Sequence, residues 1–432
     1  MLCISMLAFP GAVLAQAGDL QVPPGQVALK LSGFENLDLA DATGLGGGAG
    51  AESEIELGPQ YRTPSGITLA GRAVFNLQAR SALGGSASAW ALSAPELSLF
   101  AIGPFGRIEF GDRAGFPQSL IGFTPSEIAF TAAEFGPDSG VRLDPNGGLP
   151  TAFLPAALAG RIGRLTYLGY SARFYDDRSP KLIYLSPRSR SGIFGAISYT
   201  PRTAADGGGF QLANGERPLA ATLANSLSPD VFRNVLQAAL VWNYRTAWLD
   251  LSAGVTASDA AAAIPSRLQT TATLRRSDSL GPGVSATFFD TWTLGLSGTY
   301  DGLSQARPVA GGKGLAKPYG VVASLNYVNG PWVVGGYYQH AVGDTPPATG
   351  LGEGAPSADT TVALHQDTVD VAELGASYLL DKNHDLLGPG HYTDVKVFSS
   401  VYTYRFRGGG GMDLAPRLQG AVFITGVRFS FF

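Results

Sequence analysis

The sequence predicts an all-β fold, a transmembrane β-barrel of antiparallel strands, from three observations. The 432 residues include 58 glycines and only 15% charged residues, whereas a soluble domain carries about 25% charged residues. No run of about 18 apolar residues follows the N-terminal segment, which argues against membrane helices. Segments in which apolar and polar side chains alternate recur along the chain, as expected for strands between lipid and an aqueous lumen. A secreted β-rich protein is the other class that the composition permits.

The first fifteen residues have the pattern of a signal peptide. Their apolar stretch ends in Val13-Leu14-Ala15 before Gln16, and small residues at such a boundary are typical of secretory cleavage sites. We therefore expect residues 1–15 to be removed and residues 16–432 to form one domain. Because Cys3 is the only cysteine, the mature chain would contain neither disulfides nor cysteine metal sites.

The clearest pair of predicted strands forms a hairpin. In residues 66–80, apolar side chains or glycine occupy the odd positions, and the even positions include Arg72 and Arg80. Residues 52–61 alternate in the same sense, and the turn 62–66 joins the two segments. The alternation places both arginines on the inner, lumen side of the wall.

Following this alternation along the chain predicts sixteen strands, an even number as in bacterial membrane barrels. They lie near residues 26–39, 52–61, 66–80, 87–101, 105–113, 180–187, 191–202, 231–244, 247–258, 267–278, 291–301, 318–329, 331–343, 367–380, 392–406 and 417–432. Residues 277–290 are either a long turn or an extension of the strand before them.

The predicted connections alternate between short and long. The short ones include Gly103-Pro104, Arg245-Thr246 and Asn329-Gly330-Pro331. The long ones lie near 40–51, 203–230, 302–317 and 344–366, and the glycine-rich residues 44–50 suggest a flexible external loop. Membrane barrels sort their connections in this way, with short turns on the periplasmic side and long loops outside.

One connection, residues 114–179, is much longer than the others and has little strand pattern. Connections of this length are usually functional or disordered. Its apolar residues need burial, and the inner wall of the barrel is the available surface; they are Phe116, Leu120, Ile121, Phe123, Ile128, Phe130, Phe135 and Leu154. We therefore expect an inward-folded third loop that narrows the lumen.

Several segments resemble the Gram-negative general-diffusion porins. Residues 106–113, Gly-Arg-Ile-Glu-Phe-Gly-Asp-Arg, resemble the strand that enters the constriction loop of these porins, and residues 181–201 resemble the hairpin that follows it. Residues 134–138, Glu-Phe-Gly-Pro-Asp, are similar to the eyelet segment Pro-Glu-Phe-Gly-Gly-Asp, from which Ala133 and Pro137 depart.

The C-terminal residues strengthen the resemblance. Outer-membrane barrels end in a closing strand with apolar residues at alternate positions, which Phe423, Val427, Phe429 and Phe431 supply. We expect Phe431 to point outward and Arg428 to point into the lumen.

The resemblance implies a water-filled channel of the outer membrane through which ions and small hydrophilic solutes diffuse passively. It implies a homotrimer in contact with outer-membrane lipid and lipopolysaccharide, and neither a cofactor nor a metal. In such porins, arginines on the early strands face an acidic loop, and the transverse field orients dipolar solutes. By this analogy the constriction consists of Arg72, Arg80 and Arg107 on the wall and Glu127, Glu134 and Asp138 on the loop.

Other function classes fit less well. The net charge of −4 argues against nucleic-acid binding. An enzyme is not expected, because the chain contains no Gly-x-Ser-x-Gly and no His-Glu-x-x-His motif. A substrate-selective channel stays open, with aromatic residues such as Phe123 or Phe130 stacking on sugars. Adhesion through the external loops stays open too.

Overall fold

A computed structural model contains a closed, antiparallel β-barrel. It describes residues 12–14, 22–42, 46–82, 88–112, 179–203, 210–214, 232–262, 272–301, 305–308, 317–345, 365–380, 393–408 and 417–431. Every regular element among these residues is a strand. No helix in them is long and apolar enough to cross a membrane.

Sixteen of the described strands form the barrel wall, which confirms the predicted fold class and strand number. They are β1 (Val27–Ala42), β2 (Gly46–Arg62), β3 (Thr68–Ala82), β4 (Ser88–Gly103), β5 (Gly106–Asp112), β6 (Pro180–Leu185), β7 (Ile193–Arg202), β8 (Phe232–Arg245), β9 (Leu249–Ala262), β10 (Ala272–Phe288), β11 (Trp292–Tyr300), β12 (Tyr319–Asn329), β13 (Trp332–Thr345), β14 (His365–Leu379), β15 (Thr393–Arg407) and β16 (Arg417–Phe431). Three short strands accompany them: Ala12–Leu14 pairs in parallel with β1, Phe210–Asn214 pairs with β4, and Gln305–Pro308 pairs with β10.

The barrel closes where β16 pairs with β1. This antiparallel ladder runs from Val422 opposite Ala42 to Phe431 opposite Gly33. Each other wall strand pairs with the strands before and after it in sequence. Closure leaves no open edge, as a sheet surrounded by lipid requires.

The short connections are where the sequence predicts them. β4 and β5 meet at Pro104, β8 and β9 at Thr246, and β12 and β13 at Gly330. In membrane barrels such tight turns lie at the end that faces the periplasm.

Three of the predicted long connections contain strand. β1 reaches Ala42 and pairs there with Gly46, so the glycine-rich residues 46–50 belong to β2 rather than to a flexible loop. Residues 210–214 and 305–308 also pair with the wall. The prediction fails here because strand pairing uses only the backbone, and short or glycine-rich stretches show no alternation of side chains.

The ambiguous residues 277–290 are mostly strand. β10 continues to Phe288 and pairs with β9 along this stretch, including Pro282 opposite Val255. The predicted loop 114–179 lies outside the described residues except for Ser179, which is buried.

The wall is apolar outside and polar inside. Leu97, Leu99 and Phe110 are more than 60% exposed on the outer face, where lipid would cover them. On the inner face, Gln237 and Gln339 are fully buried in the barrel. This arrangement is the reverse of a soluble protein and agrees with the predicted alternation.

A bulge in β4 sets the register beside the lumen. Val74 of β3 lies opposite Glu96 of β4, whereas Asn76 lies opposite Ser93, so β4 contains one extra residue there. The bulge includes Pro95, which cannot donate a hydrogen bond and is tolerated in a sheet mainly at bulges or edges. On the C-terminal side of the bulge, Glu96 and Ser98 face the lumen.

Candidate functional site: a charged patch on the inner wall

Five charged side chains on the inner face of β2 to β5 form two ion-paired groups, called here together the wall cluster. They are Glu56, Arg72, Glu96, Arg107 and Glu109. Three are carboxylates and two are guanidinium groups. The cluster occupies the strands on which the sequence predicts inward arginines.

Arg72 lies between two carboxylates. Its Nη2 is 3.0 Å from Oε2 of Glu56, and its Nη1 is 3.1 Å from Oε2 of Glu96. Both glutamates lie opposite Val74, the next inward residue of β3, so Arg72 reaches them diagonally, as long side chains in sheets can. One guanidinium on β3 therefore links both neighbouring strands, through a charge-assisted hydrogen bond to Glu56 on β2 and an ion pair with Glu96 on β4.

Arg107 forms the second part of the wall cluster. Its Nη2 lies 2.8 Å from Oε2 of Glu109, and its Cζ lies 3.8 Å from the centre of the Phe100 ring. The ring and the carboxylate thus both favour the charged guanidinium. Because the Glu109 side chain is only 1% exposed, removal of Arg107 would take away a counter-charge from a buried carboxylate.

Lys181 on β6 is a buried inner-wall cation that the sequence analysis did not assign to the lumen. It is 1% exposed and lies opposite Gly111 of β5. The signal was available, because outward Leu182 and Tyr184 alternate with Lys181 and Ile183. The basic charge of this wall therefore extends one strand beyond Arg107.

Two of the six predicted constriction residues lie on the described inner wall. Arg72 and Arg107 both face the lumen, as predicted, and both are paired with wall glutamates that the sequence analysis did not identify as their partners. β3 includes Arg80, whose side chain is outside the described residues. Glu127, Glu134 and Asp138 also lie outside them.

Uncharged polar side chains also line the inner face beyond the wall cluster. Gln237, Gln339 and Asn326 are buried there, and Ser198 donates a hydrogen bond of 3.2 Å to Gln237. Amides and hydroxyls can exchange hydrogen bonds with water and polar solutes. Among the described residues, no group of three or more His, Cys, Asp and Glu side chains could hold a metal ion.

The chain matches a family model. The model is described as Gram-negative porin, and the match covers residues 3–417. Comparison with curated proteins finds no match.

The barrel is also similar to solved structures. A loop-deletion mutant of OmpT, an outer membrane protein of Vibrio cholerae, is 13% identical over 94% of this chain and 99% of that chain, with a TM-score of 0.48. In-vitro folded OmpT in its trimer form is 11% identical over 94% and 99%, with a TM-score of 0.47. A mutant of the Rh. blastica porin is 15% identical over 93% and 100%, with a TM-score of 0.45.

The pairing of Arg72 predicts how its partners act on ion flow. The double variant Glu56→Gln, Glu96→Gln leaves the guanidinium without its two counter-charges and should shift the reversal potential in a salt gradient toward anions. A change on the order of 1 kcal/mol per charge corresponds to about fivefold in permeability ratio. Bilayer recordings measure the shift. Glu35→Gln, which removes a carboxylate from the outer face, is the control and should leave selectivity unchanged. Equal reversal potentials in the wild type, the double variant and the control would show that Glu56 and Glu96 do not act on ion flow.

Proposed function

We infer the function from one premise: the chain belongs to the Gram-negative porin family, whose model matches nearly all of it. It is a channel-forming β-barrel of the outer membrane. Our proposal is that this channel is a general, water-filled pore for passive diffusion of ions and small hydrophilic solutes, and that it catalyses no reaction.

The internal pairing of the wall cluster is the observation that supports a general pore. Arg72 and Arg107 already contact carboxylates within 3.1 Å. A dedicated site for a charged substrate needs groups that the substrate itself can pair, because buried charges are costly without partners. Paired wall charges instead supply local dipoles that orient water and polar solutes with little preference among them.

We place the narrowest part of the pore between the wall cluster and the loop 114–179. The proposal rests on family membership and on the acidic residues Glu127, Glu134 and Asp138 in that loop. Since wall glutamates already pair with Arg72 and Arg107, acidic loop residues would give the narrowest part of the pore a preference for cations.

A substrate-selective channel is the second candidate, and one observation favours it. β15 presents four aromatic side chains to the barrel interior, in a line that could stack on sugar rings; they are Phe398, Tyr402, Tyr404 and Phe406. All four are at most 6% exposed, and the Tyr404 ring lies closely over Gly420 of β16. Side chains packed against the wall offer a solute little free surface, so we rank this function second.

We further propose a homotrimer, which the distribution of outer aromatic residues supports. Exposed Trp and Tyr side chains, which favour the membrane–water interface, occur on the outer wall from Tyr184 to Tyr338. Among the described residues of β16 and β1 to β5, the large exposed hydrophobic side chains of the outer face are aliphatic or Phe, and Tyr61 is half-buried. A part of the wall that contacts another subunit does not meet the membrane–water interface and therefore needs no belt of Trp and Tyr side chains. The aromatic part of the wall would contact outer-membrane lipid and lipopolysaccharide.

Conductance separates the two candidate channels. A general pore should give an ohmic single-channel current in lipid bilayers, and maltose, sucrose or other small sugars at millimolar concentration should not block it. Concentration-dependent, saturable block by one sugar would favour the selective channel. The Tyr402→Ala variant would then identify the aromatic line as the binding surface if it abolished the block.

Neutral loop variants test the position of the constriction. Glu134→Gln combined with Asp138→Asn should shift the reversal potential toward anions, because two negative charges leave the narrowest part of the pore. Screening by water and salt limits each effect to about 1 kcal/mol. Wild-type reversal potential and conductance in this variant would place the constriction elsewhere. Glu35→Gln is again the matched control.

Two leucine variants test the subunit contact. Leu99→Arg puts a charge on the outer face of β4, inside the proposed interface, and should yield monomers in native mass measurements in mild detergent. Leu240→Arg puts the same charge on the aromatic-bearing side of the wall and should leave the trimer intact. A monomeric wild-type protein, or a trimeric Leu99→Arg variant, would disprove the proposed interface.

A further inference from the structure

A row of polar side chains crosses the outer face of β13 to β15, in a part of the wall that is otherwise apolar. His340 lies opposite Asp370 in the β13–β14 ladder, and Asp370 lies opposite Arg405 in the β14–β15 ladder. Tyr338 and Leu374 are exposed on the outer face and lie two and four residues from His340 and Asp370 on the same strands. Because side chains alternate along a strand, His340 and Asp370 point outward as well. Arg407, the next outward residue of β15, is exposed like Arg405.

The hydrogen bonds of this row leave the two arginines available. One oxygen of Asp370 accepts a hydrogen bond of 2.7 Å from the Tyr338 hydroxyl and lies 2.8 Å from Nδ1 of His340. In the part of the chain that the structure describes, neither Arg405 nor Arg407 forms an ion pair. Asp370 is close enough to act on both guanidinium groups but forms an ion pair with neither, so the two arginines keep an excess positive charge. That excess is costly on a lipid-facing wall unless a further anion meets it.

The row lies near the upper edge of the apolar band, within reach of the outer-leaflet headgroups for a long side chain. Trp332 and Tyr378 mark the periplasmic side, with ring centres 4.6 Å apart beside the turn at Gly330. The row is eight residues along β13 from Trp332, which for a tilted strand corresponds to about 20 Å of height. The apolar band of such barrels is about 25 Å tall. Arg405 therefore reaches its upper edge, and Arg407 lies higher still.

An apolar groove leads down the outer wall from this row. It has a volume of about 630 Å³, and Leu325, Val334, Leu374 and the Tyr338 ring line it. The gap exists because Gly336 occupies the outward position between Leu325 and Leu374. A Cβ atom there would clash with the carbonyl of Glu373, so close strand packing requires this glycine. Tyr338 connects the groove to the polar row, because its hydroxyl binds Asp370.

We propose that this surface binds one lipopolysaccharide molecule through its lipid A part. An acyl chain lies in the groove, a phosphate group bridges Arg405 and Arg407, and the sugar hydroxyls meet Asp370 and His340. Guanidinium groups bind phosphate through paired hydrogen bonds, which supplies the charge complementarity. The carboxylate and imidazole beside them suit a sugar and favour a glycolipid over a glycerophospholipid. The inference rests on the proposed lipid contact of this part of the wall.

Native mass spectrometry of the detergent-solubilised full-length porin tests the site, with diphosphoryl lipid A as the probe. The double variant Arg405→Gln, Arg407→Gln should lose about thirtyfold in lipid A affinity, given the usual contribution of a basic residue at a lipid surface. Ala323→Phe, which fills the groove without touching the arginines, should weaken binding as well. Arg245→Gln removes an exposed arginine from the periplasmic end and should bind lipid A like the wild-type protein.

Three results would overturn the proposal. The first is wild-type lipid A affinity in the Arg405→Gln, Arg407→Gln variant, and the second is a loss of affinity in Arg245→Gln as large as in that double variant. The third is binding of phosphatidylglycerol as tight as that of lipid A, which would make the site one for anionic phospholipids. Single-channel conductance is measured in parallel and should stay at the wild-type value in the Arg405→Gln, Arg407→Gln variant and in Ala323→Phe, since both change only the outer face. A failure of the lipid site is thereby distinguished from a failure of the proposed channel function.

Discussion

The pairing of β16 with β1 is the constraint on which the rest of this barrel depends. Lipid offers backbone groups no hydrogen-bond partner, so each unpaired group at a strand edge within the bilayer costs several kcal/mol. The ladder between Phe431–Gly33 and Val422–Ala42 removes that edge. It also fixes the register, because a slip by one residue would turn the outward Phe423 and Phe429 toward the water-filled side. Closure thus decides which half of the residues faces lipid and which half the solutes.

The same division explains why the inner charges are paired with one another. A closed wall confines its polar side chains to a narrow interior, where an isolated charge is poorly solvated and a neighbour of opposite sign stabilises it. Two arginines are stabilised in this way. Arg72 lies between Glu56 and Glu96, and Arg107 lies between Glu109 and the Phe100 ring. In both, the field needed for permeation arises from contacts that also hold neighbouring strands together.

The sequence predicts the structure correctly where the alternation of apolar and polar side chains along a single strand is sufficient. Alternation alone predicts sixteen strands and the inward direction of Arg72 and Arg107. It does not predict their partners, because Glu96 reaches Arg72 only through the register that the bulge at Pro95 creates. It misses the strand at residues 46–50, since glycine carries no pattern, and it overlooks Lys181 beside outward Leu182. The outer row at His340, Asp370 and Arg405 depends on cross-strand pairing, which no single strand encodes.

The two faces of the wall share a backbone but little else, and this separates permeation from contacts with the surroundings. Ser98 lines the lumen, whereas its neighbour Leu99 lies on the outer face. Along β14, Glu373 points inward, whereas Leu374 borders the outer groove. Substitution at inward positions can therefore alter ion preference without disturbing subunit or lipid contacts, and substitution at outward positions can do the reverse. Glycines limit this independence, because at Gly336 the strands approach so closely that a side chain on one face would displace the backbone that both faces use.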